Sequence, residues 1–322
     1  MDFAVPGLAR IITYLGAFAV DDFAALSGAL APSRCFMHLE AEDSAFATSR
    51  VVVLPVPFDG TTCYRPGTRE GPQAIIDASR NLELYDAELR RSPYRVGIHT
   101  FPAVEVVMGN AAGMVDRVEL VTGHLLDRGK FVVTLGGDHL TSIGVVRAFA
   151  KRHPQLSVLQ IDAHADLRDE YEGSKLSAAT VMRRVLDVCP HTAQVGIRSL
   201  SEPEAQLVEQ RHLPMWLAQD IREQSFVGRR DWIDDVVQAL SDEVYVTIDI
   251  DGLDPSLVPG TGTPEPGGLD WYELTRLLEA VTARKRVVGF DVVELSPLIE
   301  GHVSPVVAAK VAYKLIGLAV PE

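Results

Sequence analysis

The stretch Leu156-Ser157-Val158-Leu159-Gln160-Ile161-Asp162-Ala163-His164-Ala165-Asp166 joins an apolar run to a group of polar side chains. The run Leu156 to Ile161 predicts a strand covered on both faces, because its apolar residues are nearly continuous rather than alternating. Asp162, His164 and Asp166 are spaced two residues apart, so their side chains point the same way on an extended chain. This spacing is typical of metal ligands at the end of a strand.

Two other segments repeat this arrangement. Asp249 and Asp251 follow the apolar run Val244 to Ile248, and His139 follows Phe131 to Leu135. Any one of these strings alone is a weak signal, because an isolated Asp-x-His is as often part of a hydrogen-bonded turn. Together they provide enough ligands for two cations: His139, Asp162, His164, Asp166, Asp249 and Asp251.

Four aspartates in one pocket would raise each other's pKa values sharply unless cations neutralised them. Oxygen-rich ligation with two imidazoles favours a hard ion, so we expect two Mn²⁺ per chain, with Zn²⁺, Fe²⁺, Co²⁺ and Ni²⁺ as alternatives. Such a pair would lower the pKa of a bridging water and supply hydroxide near neutral pH.

Strand-like and helix-like segments alternate from residue 50 onward, which predicts a mainly parallel sheet between two helix layers, an α/β fold. Ligand sites in such sheets form beyond the carboxyl ends of the strands, where all three clusters fall. We expect residues 1–49 to be an N-terminal extension and 50–322 a single domain. The predicted strands are 51–54, 131–135, 156–161, 194–197, 244–248 and 287–290. The predicted helices are 72–86, 111–128, 142–152, 226–240 and 304–318.

Composition narrows the classes of function. The chain has 322 residues, 47% of them hydrophobic, and a formal net charge of −14. This charge argues against nucleic-acid binding and suits a small cationic substrate. Three cysteines without a CxxC pair favour a reducing, cytoplasmic location. The apolar segment 11–20 is about half the length of a membrane-spanning helix, so we expect no membrane association.

The motifs closely resemble those of the ureohydrolase family, which includes arginase and agmatinase, over roughly residues 50–318. The resemblance is carried by Gly136-Gly137-Asp138-His139, Asp162-Ala163-His164-Ala165-Asp166, Thr247 to Pro255 and Pro259-Gly260-Thr261-Gly262-Thr263-Pro264-Glu265. It implies a three-layer α/β/α, arginase-like fold, a homo-oligomer (trimer or hexamer) and a binuclear Mn²⁺ site. In that site His139 and Asp166 would bind one metal, His164 and Asp251 the other, and Asp162 and Asp249 would bridge them.

The resemblance also assigns catalytic roles. Glu294, in Asp291-Val292-Val293-Glu294, matches the glutamate that binds the guanidinium group, and Asp166 takes part in catalysis as a metal ligand. Where the family usually has Ser-His-Gly/Ala-Thr, this chain reads Ser177-Ala178-Ala179-Thr180, so Ala178 stands in the place of a histidine. Losing a positioned acid–base group typically costs about a hundredfold to ten-thousandfold in rate. His99, His212 or His302 could replace it in space.

The substrate is expected to be agmatine or an aminopropyl derivative. Arg65 to Pro72 looks like the agmatinase signature, and Asp169, Glu170 and Glu172 make the following loop acidic, which favours a cationic substrate tail. Arg168 and Lys175 oppose this inference. Arginine, guanidinobutyrate and formimidoylglutamate stay open as substrates, and a metal-binding pseudoenzyme or regulatory subunit is the alternative from another class. Asp138, Asp254 and Asp291 fit supporting positions behind the ligands or in turns.

Overall fold

Eight parallel strands form one sheet in the computed structural model, which describes residues 35–229 and 231–322. The strands are β1 (Val51–Val56), β2 (Ile98–Thr100), β3 (Phe131–Gly136), β4 (Ser157–Ile161), β5 (His191–Ile197), β6 (Met215–Leu217), β7 (Glu243–Asp249) and β8 (Arg286–Val293). Their order across the sheet is β2-β1-β3-β8-β7-β4-β5-β6. The last strand in sequence therefore lies in the middle of the sheet, between β3 and β7.

Helices cover both faces of this sheet. They are α1 (Ala41–Ser44), α2 (Gly71–Ser79), α3 (Ala111–Leu126), α4 (Thr141–Ala150), α5 (Val181–Val185), α6 (Glu202–Arg211), α7 (Ala218–Phe226), α8 (Asp231–Ala239), α9 (Trp271–Arg284) and α10 (Val303–Ala319). Short 3₁₀ turns lie at Phe36–His38, Thr68–Glu70, Pro93–Val96, Ala178–Thr180 and Ile250–Gly252. Helices α2 and α7 to α10 share one hydrophobic core with the sheet, and α3 to α6 share the other.

The two cores follow from the alternation of side chains along each strand. Val51 and Val53 of β1 belong to the first core, whereas Val52 and Leu54 belong to the second. A strand between two apolar layers must be apolar at every position, which is why β1 reads as a continuous β-branched run. The expected three-layer α/β/α fold with a parallel sheet is confirmed.

The compact unit begins at Cys35, before the expected boundary at residue 50. Phe36 is fully buried, and its backbone N–H donates to Thr100 Oγ1 at 2.8 Å. The N–H of Met37 donates to Ser79 Oγ, also at 2.8 Å. Residues 35–39 therefore pack as part of the first core. The rest of the expected extension, residues 1–34, lies outside the described residues.

Two predicted helices differ from the structure. The predicted helix 72–86 ends at Ser79, and Asp86 lies in a turn where its carboxylate accepts the N–H groups of Glu88 and Leu89. The predicted helix 226–240 is the end of α7 followed by α8, because Gly228 has a φ of +75° and interrupts the helix. Strands β2 and β6 and helices α1, α5, α6 and α9 were not predicted, and α7 was predicted only at its last residue.

No helix among residues 35–229 and 231–322 combines the length and apolar character needed to cross a bilayer. The fold instead provides a place for a site at the edge of the sheet where the strands end. The carboxyl ends of β3, β8, β7 and β4 lie side by side in the centre of the sheet. The segments that follow these strands carry the expected ligands.

Candidate metal centre

The structure brings the expected ligands together at this edge. His139 follows β3, Asp162 to Asp166 follow β4, and Asp249 ends β7 with Asp251 in the turn behind it. Two overlapping groups have ligand atoms within 4.8 Å of one another: His139 with Asp162 and Asp249, and Asp162 with His164 and Asp251. Asp162 belongs to both groups.

The first group surrounds the imidazole of His139, which is 1% exposed. Its Nδ1 lies 3.2 Å from Asp162 Oδ2, 3.1 Å from Asp166 Oδ2 and 3.4 Å from Asp249 Oδ2. Within the described residues this buried Nδ1 forms no hydrogen bond. A nitrogen lone pair and three carboxylate oxygens converging on one point are the donor set that a divalent cation takes. The residues therefore fit the metal that the sequence predicts.

The second group is more open. His164 Nδ1 lies 3.2 Å from Asp251 Oδ2 and 3.5 Å from Asp162 Oδ1, and the His164 side chain is 24% exposed. Its other nitrogen, Nε2, is 3.9 Å from Glu265 Oε1, beyond hydrogen-bond length. Solvent and small molecules can thus approach this side of the site.

Crowding of the carboxylates alters their ionisation, as the sequence predicts. Burial raises the pKa of Asp166 to about 7, and the neighbouring Asp162 charge adds to this. Burial also raises the pKa of Asp249 well above its usual value, with further contributions from Asp251 and Asp162. Burial acts in the same direction on Asp162, but its contacts with His139 and His164 lower its pKa instead.

Backbone and side-chain donors fix the orientation of each carboxylate. Asp162 Oδ1 accepts the N–H of His164 at 2.6 Å, and Oδ2 accepts Gln160 Nε2 at 2.7 Å. Asp249 Oδ1 accepts the N–H of Asp251 at 3.0 Å. Asp251 Oδ1 accepts the N–H of Ala163 at 3.1 Å, which ties the β7 segment to the β4 segment. The ligands are thus held before any ion binds.

Glu294 follows β8 and is 5% exposed. Its Oε1 accepts the N–H of His139 at 2.7 Å, and its own N–H donates to Gly137 O at 2.8 Å. Burial raises its pKa well above the usual value, and the nearby Asp138 charge adds to the effect. Glu294 and Asp166 have φ angles of +62° and +53°, a conformation that non-glycine residues rarely adopt and that occurs often at functional sites.

A partly open cavity of about 150 Å³ leads to these groups. Glu294, His139, His164, Asp166 and Asp249 form its inner end. The other lining residues are Cys63, Ala165, Arg168, Tyr171, Ala178, Ala179, Ser199, Leu200, Glu204 and Thr263. The cavity therefore has an acidic inner end and a mixed, partly apolar wall.

Ala178 lines this cavity. It opens the 3₁₀ turn Ala178–Thr180, in which the Ser177 N–H donates to Thr180 Oγ1 at 3.0 Å. The small alanine side chain leaves space in the cavity at this position. None of His99, His212 and His302 lines the cavity, so none of them replaces the imidazole.

The acidic loop residues lie elsewhere. Asp169, Glu170 and Glu172 are not among the lining residues of the cavity. Asp169 Oδ1 instead accepts Arg184 Nη2 at 2.6 Å and lies 3.6 Å from Arg183 Nε. Asp169 therefore pairs with arginines and does not line the cavity. The expected contact of these three residues with a cationic tail stays a prediction.

Four ionisable residues of the cavity lie outside the predicted site residues. Arg168 and Tyr171 come from the same loop, and the guanidinium carbon of Arg168 lies 5.5 Å from the centre of the Tyr171 ring. Glu204 accepts the N–H groups of Leu167 and Ser201. Burial raises the pKa of Cys63 to about 12, so its thiol stays protonated. Their sequence neighbourhoods carry no motif that places them in a cavity.

Comparisons with known proteins agree with this geometry. The model of the arginase family matches residues 49–317. N(1)-aminopropylagmatine ureohydrolase of Synechocystis is 40% identical over 291 residues, covering 88% of this chain and 92% of the relative. Agmatinase of Bacillus anthracis is 36% identical, covering 84% and 92% respectively. The crystal structure of agmatine ureohydrolase from Thermoplasma volcanium superposes with a TM-score of 0.81 at 30% identity, covering 92% of this chain and 97% of that one.

Proposed function

The chain belongs to the arginase family of amidinohydrolases, and we propose that it hydrolyses agmatine or a similar guanidino-alkylamine to urea and an amine. Its relatives are named as hydrolases that act on C–N bonds of amidines. The observation that carries the proposal is the convergence of six histidine and aspartate side chains beside the buried carboxylate of Glu294. The names of the relatives support a cationic tail.

We propose two Mn²⁺ ions as cofactors. His139 and Asp166 would hold one ion and His164 and Asp251 the other, and Asp162, which belongs to both groups of ligand atoms, and Asp249 would supply further carboxylate oxygens. When bound, two adjacent divalent cations lower the pKa of water and stabilise negative charge that develops in the transition state. Oxygen-rich ligation supports Mn²⁺ over softer ions.

Glu294 would bind and orient the guanidinium group. The His139 N–H holds Oε1, and Oε2 forms no hydrogen bond within the described part of the chain, so it can accept from a guanidinium N–H. Burial strengthens such a charge-assisted bond, because little water competes for the carboxylate. Holding a delocalised, weakly electrophilic carbon in one orientation removes much of the entropic part of the barrier.

The wall of the cavity would receive the alkyl chain of the substrate. Cys63, Ala178, Ala179 and Leu200 offer apolar surface, and the protonated thiol of Cys63 adds no charge. Arg168 is the cationic lining group that opposes a cationic tail, but its Nε lies 3.9 Å from Glu204 Oε2, which partly offsets its charge.

We propose that Ala178 lowers the rate relative to relatives with histidine at this position. In the test, metal-depleted protein is reconstituted with MnCl₂, and urea is measured with agmatine, N1-aminopropylagmatine, arginine and 4-guanidinobutyrate. We expect the two amines to be cleaved faster than arginine. Ala178→His should raise the rate about a hundredfold or more, whereas Ala179→His, which adds the same side chain to the same wall, should give no gain.

The outcomes separate an enzyme from a binding protein, the alternative that Ala178 favours. If metal-loaded wild type and Ala178→His both release no urea from any of the four compounds, hydrolysis is refuted and a metal-binding pseudoenzyme is supported. Preference for 4-guanidinobutyrate would instead show that Arg168 selects an anionic tail. We further propose a cytoplasmic homo-oligomer, a trimer or hexamer, with one catalytic domain over residues 50–322; light scattering tests its mass.

A further inference from the structure

A buried chain of hydrogen bonds lies behind His139, on the side away from the carboxylates. His139 Nε2 is 2.9 Å from Thr247 Oγ1, and Thr247 Oγ1 is 2.6 Å from Asp291 Oδ1. Tyr245 completes the chain, because its hydroxyl donates to Asp291 Oδ2 at 2.7 Å. All four side chains are at most 1% exposed, so water does not compete for these bonds.

The sheet places these groups on one line. Thr247 on β7 pairs directly with Asp291 on β8, so their side chains are cross-strand neighbours. Tyr245 precedes Thr247 by two residues and therefore faces the same side of the sheet, as does Asp249 at the end of the strand. The chain of hydrogen bonds thus runs towards the candidate metal centre along the face of the sheet that packs against the second hydrophobic core.

The direction of each hydrogen bond fixes the protonation of His139. Thr247 Oγ1 donates its single hydroxyl hydrogen to Asp291 Oδ1. Ser142 Oγ, the other possible acceptor, is 3.4 Å away from Thr247 Oγ1 and forms a much weaker contact. The Thr247 oxygen can then only accept from the imidazole, so Nε2 carries a hydrogen and Nδ1 keeps its lone pair for a cation.

We infer that Tyr245, Asp291 and Thr247 act as positioning residues that hold His139 in the orientation and tautomer that bind metal. The inference rests on the metal site of the proposed function, but not on the identity of the substrate. Hydrogen bonds of this kind orient metal-binding imidazoles and raise their basicity. Among residues 35–229 and 231–322, His164 has no comparable partner, since Glu265 lies 3.9 Å from its Nε2. This chain of hydrogen bonds therefore acts on one of the two metal positions.

The test measures metal binding rather than activity. Thr247→Val removes the oxygen that accepts from Nε2, with almost no change in shape. We expect calorimetric titration with MnCl₂ to show one of the two Mn²⁺ ions bound about tenfold to a hundredfold more weakly, with the other unchanged. Thr247→Ser restores the hydroxyl and should restore the affinity. Thr122→Val, at a buried threonine away from the site, is the matched control.

Tyr245→Phe is the second variant and keeps the inference testable if Thr247→Val fails to fold. It removes only the outermost bond, so we expect a smaller loss, about threefold to tenfold, at the same metal position. Tyr313→Phe, which removes the hydroxyl that donates to Leu84 O, is its control. In protein loaded with diamagnetic Zn²⁺, ¹⁵N NMR should show a slowly exchanging His139 Nε2–H that exchanges faster in Thr247→Val.

Two results would overturn the inference: folded Thr247→Val and Tyr245→Phe that bind both Mn²⁺ ions as tightly as the wild type, or an unprotonated Nε2 in the Zn²⁺-loaded protein. A merely structural role would lower thermal stability without separating the two affinities. If the wild type binds two ions in this way but releases no urea, the proposed hydrolysis is refuted, while the role of the hydrogen-bond chain is still supported.

Discussion

Replacing Glu294 with glutamine tests the arrangement at the inner end of the cavity most directly. The change keeps the size of the side chain and keeps an oxygen to accept the His139 N–H at 2.7 Å. It removes only the negative charge that would bind the guanidinium. The backbone at φ +62° is already adopted by an unbranched side chain of the same length, so we expect little change in the free energy of unfolding.

The expected loss follows from the burial of Glu294, which is 5% exposed. Removing one partner of a buried ion pair costs about 3–5 kcal/mol. Because each 1.4 kcal/mol is a factor of ten, kcat/KM should fall roughly two hundredfold to several thousandfold. An exposed ion pair is worth about 1 kcal/mol or less. The size of the effect therefore distinguishes a buried substrate contact from a surface charge.

The assay is urea release from agmatine by Mn²⁺-loaded wild type and variant, with Mn²⁺ affinity and melting temperature measured on the same samples. Glu265→Gln is the matched control, because this carboxylate is 37% exposed and 3.9 Å from His164 Nε2. We expect less than a fivefold effect from it, as for an exposed pair. A fully folded, metal-loaded Glu294→Gln that keeps kcat/KM within tenfold of the wild type would refute the role given to Glu294.

Two further predictions concern helix α10. Lys314→Met should lower the free energy of unfolding in urea by about 3–5 kcal/mol, because Lys314 Nζ lies 3.0 Å from both oxygens of buried Asp86, and Lys314→Met with Asp86→Asn should recover part of the loss. Burial acts to raise the pKa of Glu300, but the N–H groups of Ser304, Val303 and His302 lower it to about 2. Because the pKa of Glu300 is lower in the folded protein than in the unfolded chain, its ionised carboxylate stabilises the fold at pH values above the usual pKa. This stabilisation is lost as the pH falls through the folded pKa. The free energy of unfolding of the wild type should therefore exceed that of Glu300→Ala by about 1 kcal/mol at neutral pH. This difference should be lost as the pH falls from 4.5 to 2.

Much of the fold can be predicted from the sequence, because continuous apolar runs indicate β1, β3, β4 and β7. Helix α9 also carried a visible signal, because Asp270 and Glu273 form a capping box at its start. The end of α2 carried none. Asp86 lies in a turn beyond the helix and binds Lys314, more than two hundred positions away, a contact that no local pattern records.

The candidate site divides in the same way. Asp162, His164 and Asp249 sit at strand ends, where period-two spacing and sheet geometry determine direction, so the sequence predicts their convergence. Asp169 and its neighbours lie in a loop whose shape depends on the arginines it meets. Spacing cannot reveal which of its side chains enter the cavity. The positions of Tyr245 and Thr247 could also have been predicted, because on β7 they face the same side of the sheet as Asp249, at a spacing of two residues.

The position of β8 in the sheet has a consequence for how the protein forms. On a ribosome, β1 to β3 and β4 to β7 emerge as two ribbons with no strand pairing between them, because each meets the other only through β8. Continuous strand pairing between the ribbons can form only after residue 293 has left the exit tunnel. His139 arrives on one ribbon and Asp162, His164 and Asp249 on the other, so we expect nascent chains truncated before β8 to bind more weakly the ion that His139 would hold.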